Sequence, residues 1–556
     1  MSAKSVFCCE KITKNNPVFS RFRTTIETAF YRNNVVKVKS RREAYKLALS
    51  CPGTIVTDLE VYQPEKIGLD PNSKVLLFND GEVVGRYAPA RRIVGEPGVN
   101  LDEYAGKLRE AVYNTRFRTM YHAEAIIGLD EDFCIKAHLL VPEGFENTLY
   151  NWLLNFQPLD SCFEELYKSS RVFENEGDIF VFSDPYWEHA DHPYGLTFFD
   201  PEHNVAAILG MRYFGEFKKG TLTLAWGCAS RNGYVSCHGG QKRYNLPQNK
   251  SFVVGVFGLS GSGKSTLTHA KHDGKFDVTV LHDDAFIISL KDGSSIALEP
   301  SYFDKMADYP LQCSDNKYLL TVQNLGATLD STGRVVIVPE DIRNGNGRAI
   351  KSNLWSPNRE NKFSEPINAI IWLMKDPSLP PVLKIDDPSL ASTFGATLAT
   401  KRTSAERLSP EADPEALVFE PYANPFRTYP LSHDYWGFKN LFEKRNVACY
   451  IFNTGHFLSK KVPKEMTLSI LEKIVTDSIS FKKWGDFEGI SIMEIKGFTP
   501  DLKDDSYISL LKRQLHSRLE FIQHLETKKG GYDKLPSEAY DSVQRVYTKL
   551  RRLKTL

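Results

Sequence analysis

The sequence predicts an α/β chain in two parts. An N-terminal mixed α/β domain covers residues 1–240, and a mixed-sheet domain built around a glycine-rich loop covers 241–556. Three observations carry this reading. An unbroken apolar run at 253–257 has the pattern of a strand buried on both faces, and it leads straight into Gly258, Leu259, Ser260, Gly261, Ser262, Gly263, Lys264 and Ser265. Similar runs at 278–281, 287–290 and 369–374 supply companion strands. The stretches 506–524 and 537–550 carry their apolar residues at helical spacing instead.

The first fifty residues form a basic extension with a helix expected at 41–49, where Lys37, Lys39, Arg41 and Arg42 read as a solvated helix face. Short strands are expected at 75–78 and 83–84 about the turn Asn79-Asp80-Gly81. The segments 126–141 and 206–224 are apolar and strand-rich. The domain boundary falls between 234 and 249, at the Gly239-Gly240 pair and the polar run after it. Residues 387–426 are rich in Pro, Ser, Thr and charge, the composition of long surface loops.

Composition narrows the function classes. With 42% apolar and 25% charged residues the chain has the ordinary mix of a soluble protein. A net charge of +1 gives no global pull toward nucleic acid. No apolar run is long enough to span a membrane, and Lys and Glu break residues 1–14 before a secretory signal could form. The nine cysteines are odd in number and contain no CxxC pair. That usage predicts a reducing, cytoplasmic setting with neither a disulfide framework nor a structural zinc cluster.

The loop from Gly258 to Ser265 matches the full P-loop pattern, so it is expected to bind a nucleoside triphosphate. Its glycines allow backbone N–H groups to turn toward phosphate oxygens. Lys264 supplies charge to the outer phosphates, Ser265 offers a hydroxyl to Mg²⁺, and a helix beginning near Lys264 and Thr266 adds its positive end. Downstream, the run at 278–281 ends in His282-Asp283-Asp284, which places carboxylates at a strand end where a metal-holding acid is needed. Cys237 and His238 are adjacent, but neighbours in a strand point apart, which argues against a nucleophile dyad.

With these residues in hand, the chain resembles the ATP-dependent phosphoenolpyruvate carboxykinase family, as a divergent member. The family's Gly-Glu-Met-Lys-Lys segment looks like Gly215-Glu216-Phe217-Lys218-Lys219, which implies Lys219 as a Mn²⁺ ligand with Lys218 beside it. Ser236-Cys237-His238-Gly239 aligns with a segment whose histidine is the second ligand, and Asp284, with Asp283 nearby, supplies the third. Gly345-Asn346-Gly347-Arg348 resembles the segment whose arginine meets the transferring phosphoryl group, implying that role for Arg348. Arg86 in Gly85-Arg86-Tyr87-Ala88-Pro89 looks like the substrate-carboxylate arginine. The Asn453-Thr454-Gly455 segment is kept, and Lys461, Val462 and Thr467 fall on the adenine side.

The resemblance implies a two-domain fold of the phosphoenolpyruvate carboxykinase type, ATP with Mn²⁺ and Mg²⁺ as cofactors, and oxaloacetate as the small-molecule substrate. A lysine, a histidine and an aspartate make a mixed N/O set suited to Mn²⁺. Two other expectations remain open from the residues alone: a kinase using the same loop on another small molecule or a protein, and a nonenzymatic ATP-binding module.

Overall fold

The computed structural model describes the whole chain except residues 1–8, 80–86, 171–175, 260, 307–308, 311, 340–345, 402–416 and 553–556. Its contacts divide into two units. One runs from the chain's start to Cys228 and takes in Leu298–Pro357; the other holds Ala229–Ala297 and most of the chain after Asn358.

In the first unit a mixed sheet has the order Val35–Val38, Met120–Asp130, Phe133–Pro142, Ile179–Asp184, Val205–Leu209, Leu196–Asp200 and Arg91–Ile93. The hairpin Met120–Asp130/Phe133–Pro142 accounts for the apolar segment at 126–141, and the Asp130 carboxylate closes its turn by accepting from Asp132 N at 3.0 Å. Helices Arg21–Thr28 and Leu101–Asn114, capped by Ser20 and Asn100, lay Phe22, Ile26 and Leu108 on one face of this sheet. The expected basic helix is present as Arg41–Ser50, yet Arg41 is not solvated. Its guanidinium donates to the carbonyls of Leu153 at 2.8 Å, Ile67 at 3.1 Å and Phe156 at 3.0 Å.

A second sheet of this unit explains why a distant segment belongs to it. The strand Lys74–Phe78, expected from sequence, pairs in parallel with Leu319–Gln323, which in turn pairs with Arg348–Lys351. A single cut near residue 240 therefore leaves out the return of Leu298–Pro357 to the first unit. The segment at 206–224 also differs from its strand-rich reading. The strand Val205–Leu209 stops at Gly210, whose φ is 66°, and an 18-residue helix follows at Phe214–Arg231. The apolar run there has no strand alternation, and burial on all sides suits a helix as well as a strand.

The second unit centres on three parallel strands, Lys250–Phe257, Ala369–Met374 and Ala448–Asn453, inside an eight-stranded mixed sheet. Gly240–Leu246 and Asp277–His282 extend it antiparallel on one side. A four-stranded sheet carries Tyr234–His238 paired with Ala285–Ser289. Instead of opening into loops, 387 onward begins with the buried helix Pro388–Ala396, started by Pro388 and capped by Asp387, which accepts from Leu390 N at 2.9 Å. The two C-terminal helices are Asp505–Thr527 and Ser537–Arg552. Among the described residues no helix is long and apolar enough to cross a membrane, and the cysteines are free thiols.

Candidate active site

The strand Lys250–Phe257 delivers the chain into the glycine-rich loop, and the helix Lys264–His269 leaves it. Gly263 precedes that helix at φ 93°, a conformation that costs a side-chain-bearing residue and that glycine adopts freely. Leu259 and Ser262 are buried and joined by a 3.0 Å bond from Ser262 N to the Leu259 carbonyl. The Ser262 Oγ is buried without a hydrogen-bond partner. Lys264 reaches across to the Asp283 carbonyl, donating at 2.6 Å. The helix has only six residues, so its dipole adds less than a full-length helix would. Ser265 and Thr266 lie on its first turn; Ser260 lies outside the described residues.

The acid turn lies at the end of strand Asp277–His282. The buried His282 ring pins it, its Nδ1 accepting from Asp284 N at 3.0 Å and from Ala285 N at 3.2 Å. The two carboxylates are thereby sent to different neighbours. Asp283 is buried on the Lys264 side, with His269 Nε2 3.5 Å from its Oδ2 and its Oδ1 without a hydrogen-bond partner. Burial opposes its charge, but the Lys264 ammonium, His269 and the Ser265 hydroxyl outweigh that and hold its pKa below the usual carboxylate range.

Asp284 turns instead to His238, with Oδ1 and Nε2 2.9 Å apart. The strand pairing sets this up, because His238 lies opposite Ala285 and Gly239 N donates to the Asp284 carbonyl at 3.1 Å. His238 Nδ1 contacts the Ala423 carbonyl, which can only accept, so this nitrogen carries the proton. Nε2 then faces a carboxylate oxygen with either a second proton or a bound cation between them. A ligating histidine has this same arrangement, one nitrogen on a backbone carbonyl and the other on the metal. Cys237, one residue away, is fully buried and its thiol is pushed well above the usual range by that burial, so it offers no nucleophile.

Lys218, Lys219 and Arg348 belong to the first unit. Lys218 and Lys219 sit on the helix Phe214–Arg231, where neighbours point about 100° apart, and they meet different surroundings. Lys218 is fully buried and ion-paired to the equally buried Glu299 at 3.0 Å. Asn155 holds the other Glu299 oxygen at 2.5 Å. Lys219 is half-buried, its ammonium 5.6 Å from the centre of the Trp226 ring. Arg348 opens the strand Arg348–Lys351; it is buried, donates from Nη1 to the Gly347 carbonyl at 2.9 Å and has Nη2 without a hydrogen-bond partner. Arg86 lies outside the described residues.

In the segment that the resemblance puts on the adenine side, Asn453 shapes a turn by donating to the carbonyls of Asp376, Leu379 and His456 while accepting from Gly455 N. Val462 is buried and donates to the Gly455 carbonyl at 3.0 Å. Lys461 is exposed, and Thr467 is buried on the helix Lys464–Val475. Sequence reasoning missed His269, whose signal is its position one and a half helical turns after Lys264. It also missed Lys242, a fully buried lysine that donates to the Ala270 carbonyl where the loop's helix ends.

The phosphoenolpyruvate carboxykinase family model matches residues 76–496, three-quarters of the chain. The chain belongs to the phosphoenolpyruvate carboxykinase family. Among curated proteins it is similar to "Phosphoenolpyruvate carboxykinase (ATP)" of Aeropyrum pernix, 28% identical over 346 residues, covering 58% of this chain and 68% of that one. The protein of the same name from Dictyostelium discoideum is 25% identical over 212 residues, 35% of this chain and 36% of its own. The family match takes in the glycine-rich loop, the acid turn, His238, Lys219 and Arg348.

Proposed function

We propose that the chain converts oxaloacetate and ATP to phosphoenolpyruvate, CO₂ and ADP. The family supports the reaction, and one observation supports its location: the turn His282-Asp283-Asp284 meets Lys264 through the Asp283 carbonyl, sets the Asp283 carboxylate within the influence of Lys264 and Ser265, and gives His238 the Asp284 carboxylate. In this reading the loop Gly258–Ser265 with Thr266 holds the triphosphate through backbone N–H groups, and Lys264 neutralises its outer oxygens. Asp283 and Ser265 fit a Mg²⁺ ion, because Asp283 Oδ1 is buried, unpartnered and held anionic. His238 and Asp284 fit Mn²⁺, with Lys219 the further ligand the resemblance implies. When bound, these ions supply Lewis acidity to the substrate's oxygens and to the phosphates.

The chain's own residues do the rest. Arg86 clamps a substrate carboxylate, and Arg348, with one guanidinium nitrogen left without a partner, meets the transferring phosphoryl group. Loss of CO₂ leaves its bonding electron pair on the enolate. The enolate oxygen then attacks the γ-phosphorus in line as the bond to ADP breaks, and Lys264 and Arg348 carry the charge that spreads onto the equatorial oxygens. Lys461, Val462 and Thr467 flank the adenine.

The test is to supply oxaloacetate, ATP and both metals and to measure phosphoenolpyruvate and CO₂. Equal amounts of each product support the proposal. Phosphorylation of another acceptor without CO₂ release would make the chain a kinase, and ATP binding without turnover would make it a binding module; either result overturns the proposal.

A further inference from the structure

The first unit holds a second group of metal-binding side chains that the proposed reaction does not use. His122 and Glu124 lie two residues apart on strand Met120–Asp130 and so share a face of the sheet. His138 lies directly opposite Glu124 on strand Phe133–Pro142. The three side chains converge: His122 Nε2 and His138 Nδ1 are 2.9 Å apart, and Glu124 Oε1 is 3.5 Å from His138 Nδ1 and 4.0 Å from His122 Nε2. Both rings are buried, while Glu124 keeps about a third of its side chain exposed, so the group opens to solvent on one side only.

What surrounds His138 turns this convergence into a prepared site. Its Nε2 faces Asp178 Oδ2 at 3.0 Å, and Asp178 is held in turn by Tyr167 and by Lys136 at 3.4 Å. That carboxylate fixes the proton on Nε2 and leaves the Nδ1 lone pair aimed at His122 and Glu124, the carboxylate–histidine relay that orients metal-bound imidazoles. Phe180 stacks on the His138 ring at 4.3 Å and Phe30 meets the His122 ring edge-on at 5.2 Å, so neither ring turns freely. A proton shared between the rings would satisfy that pair alone and leave the carboxylate against two nitrogens. A divalent ion satisfies all three donors. With bonds of about 2.1 Å, tetrahedral ligand atoms lie roughly 3.4 Å apart, so these three need move by only about half an ångström.

We infer that His122, Glu124 and His138 form a binding site for a first-row divalent ion, Zn²⁺ above all, distinct from the two catalytic ion positions. Two imidazoles and one carboxylate are a borderline donor set that selects Zn²⁺, Co²⁺ or Ni²⁺ over Mg²⁺ and Ca²⁺. Three protein ligands leave a fourth position for water or a small anion on the Glu124 side.

The test uses the full chain stripped of metal, carrying Asp284→Asn to weaken the catalytic Mn²⁺ position, and titrated with Co²⁺. One equivalent is expected to bind with the visible absorption of a low-coordinate cobalt ion, and Zn²⁺ should displace it. Adding His138→Ala should abolish this absorption, and Asp178→Asn should weaken binding by about 10–100-fold. Because a core histidine change can unfold the unit, Glu124→Gln, at the partly exposed position, carries the same test with circular dichroism as the fold check. No Co²⁺ absorption in the Asp284→Asn chain, or equal Co²⁺ affinity in folded Glu124→Gln, overturns the inference.

Discussion

Lys242 offers a test of how the glycine-rich loop is supported. Its side chain is fully buried, and its ammonium donates to the Ala270 carbonyl at 3.1 Å, 3.4 Å from His272 Nε2 and 4.6 Å from the centre of the Tyr244 ring. Burial pushes its pKa down to about 7. An unfolded chain keeps this proton up to about pH 10.4, whereas the native chain releases it near 7. Between those values the unfolded state binds more protons, so stability rises with pH across that window. At about 1.4 kcal/mol per pH unit the gain from this one group across the whole window is about 5 kcal/mol. Lys242→Met keeps the length of the stem and removes the titration, at a cost of about 1–3 kcal/mol for the Ala270 carbonyl left unpaired. Thermal denaturation of both proteins from pH 6.5 to 9.5 reads the difference. The wild type should gain on the variant by several degrees as pH rises, at roughly 2–4 °C per kcal/mol for a unit of this size. Midpoints that move in parallel would refute a buried, easily deprotonated lysine.

Three further outcomes bear on the site. Lys264→Ala should lower phosphoenolpyruvate formation by roughly 10³ or more, since it removes a charge aimed at the transferring phosphates, while circular dichroism stays unchanged. His238→Ala should raise the Mn²⁺ concentration needed for half-maximal rate by about 10-fold or more, with a smaller change in the rate at saturating metal. Lys218→Met should act on stability, because it strands the buried Glu299 carboxylate at a cost of about 3–5 kcal/mol; its thermal midpoint should fall and partly recover in the double variant Lys218→Met/Glu299→Gln. A Lys218→Met chain that keeps its midpoint and loses turnover would instead support a catalytic Lys218.

Local signals in the sequence carried much of the second unit. The run at 369–374 is a strand over those same residues, and the helical spacing near the C-terminus marks two real helices. Pairings between distant residues were not legible. Nothing near Thr321 indicates that it lies beside Leu76, so the return of Leu298–Pro357 to the first unit could not be read. The helix Phe214–Arg231 was hidden for a different reason. It is apolar on most faces, and without a polar stripe its 3.6-residue period leaves no trace. That concealment reached the site, because two adjacent lysines that look alike in sequence become a core ion pair and a half-buried candidate ligand once the helix turns between them.

The acid turn shows the same limit at closer range. Asp283 and Asp284 are adjacent in sequence; the resemblance favours Asp284 as the Mn²⁺ ligand, and the residues alone do not separate their surroundings. The fold separates them through His282, a residue that sequence reasoning treated only as the start of the turn. By accepting two backbone N–H groups, its ring fixes the peptide between strands Asp277–His282 and Ala285–Ser289, so that the Asp283 carbonyl meets Lys264, the Asp283 carboxylate lies beside His269 and the Asp284 carboxylate faces His238. For the proposed reaction this separation offers a division of labour that a single flexible carboxylate could not supply. In the proposed reaction Asp283, held anionic by the Lys264 ammonium, His269 and Ser265 against the cost of burial, would serve the ion on the triphosphate. In the same proposal Asp284, beside a histidine whose other nitrogen faces a carbonyl, would serve the ion on the acid substrate. A reaction that breaks a carbon–carbon bond and then transfers a phosphoryl group to the resulting oxygen requires both ions close together and kept distinct. Consecutive residues on a pinned turn meet that requirement with the least chain.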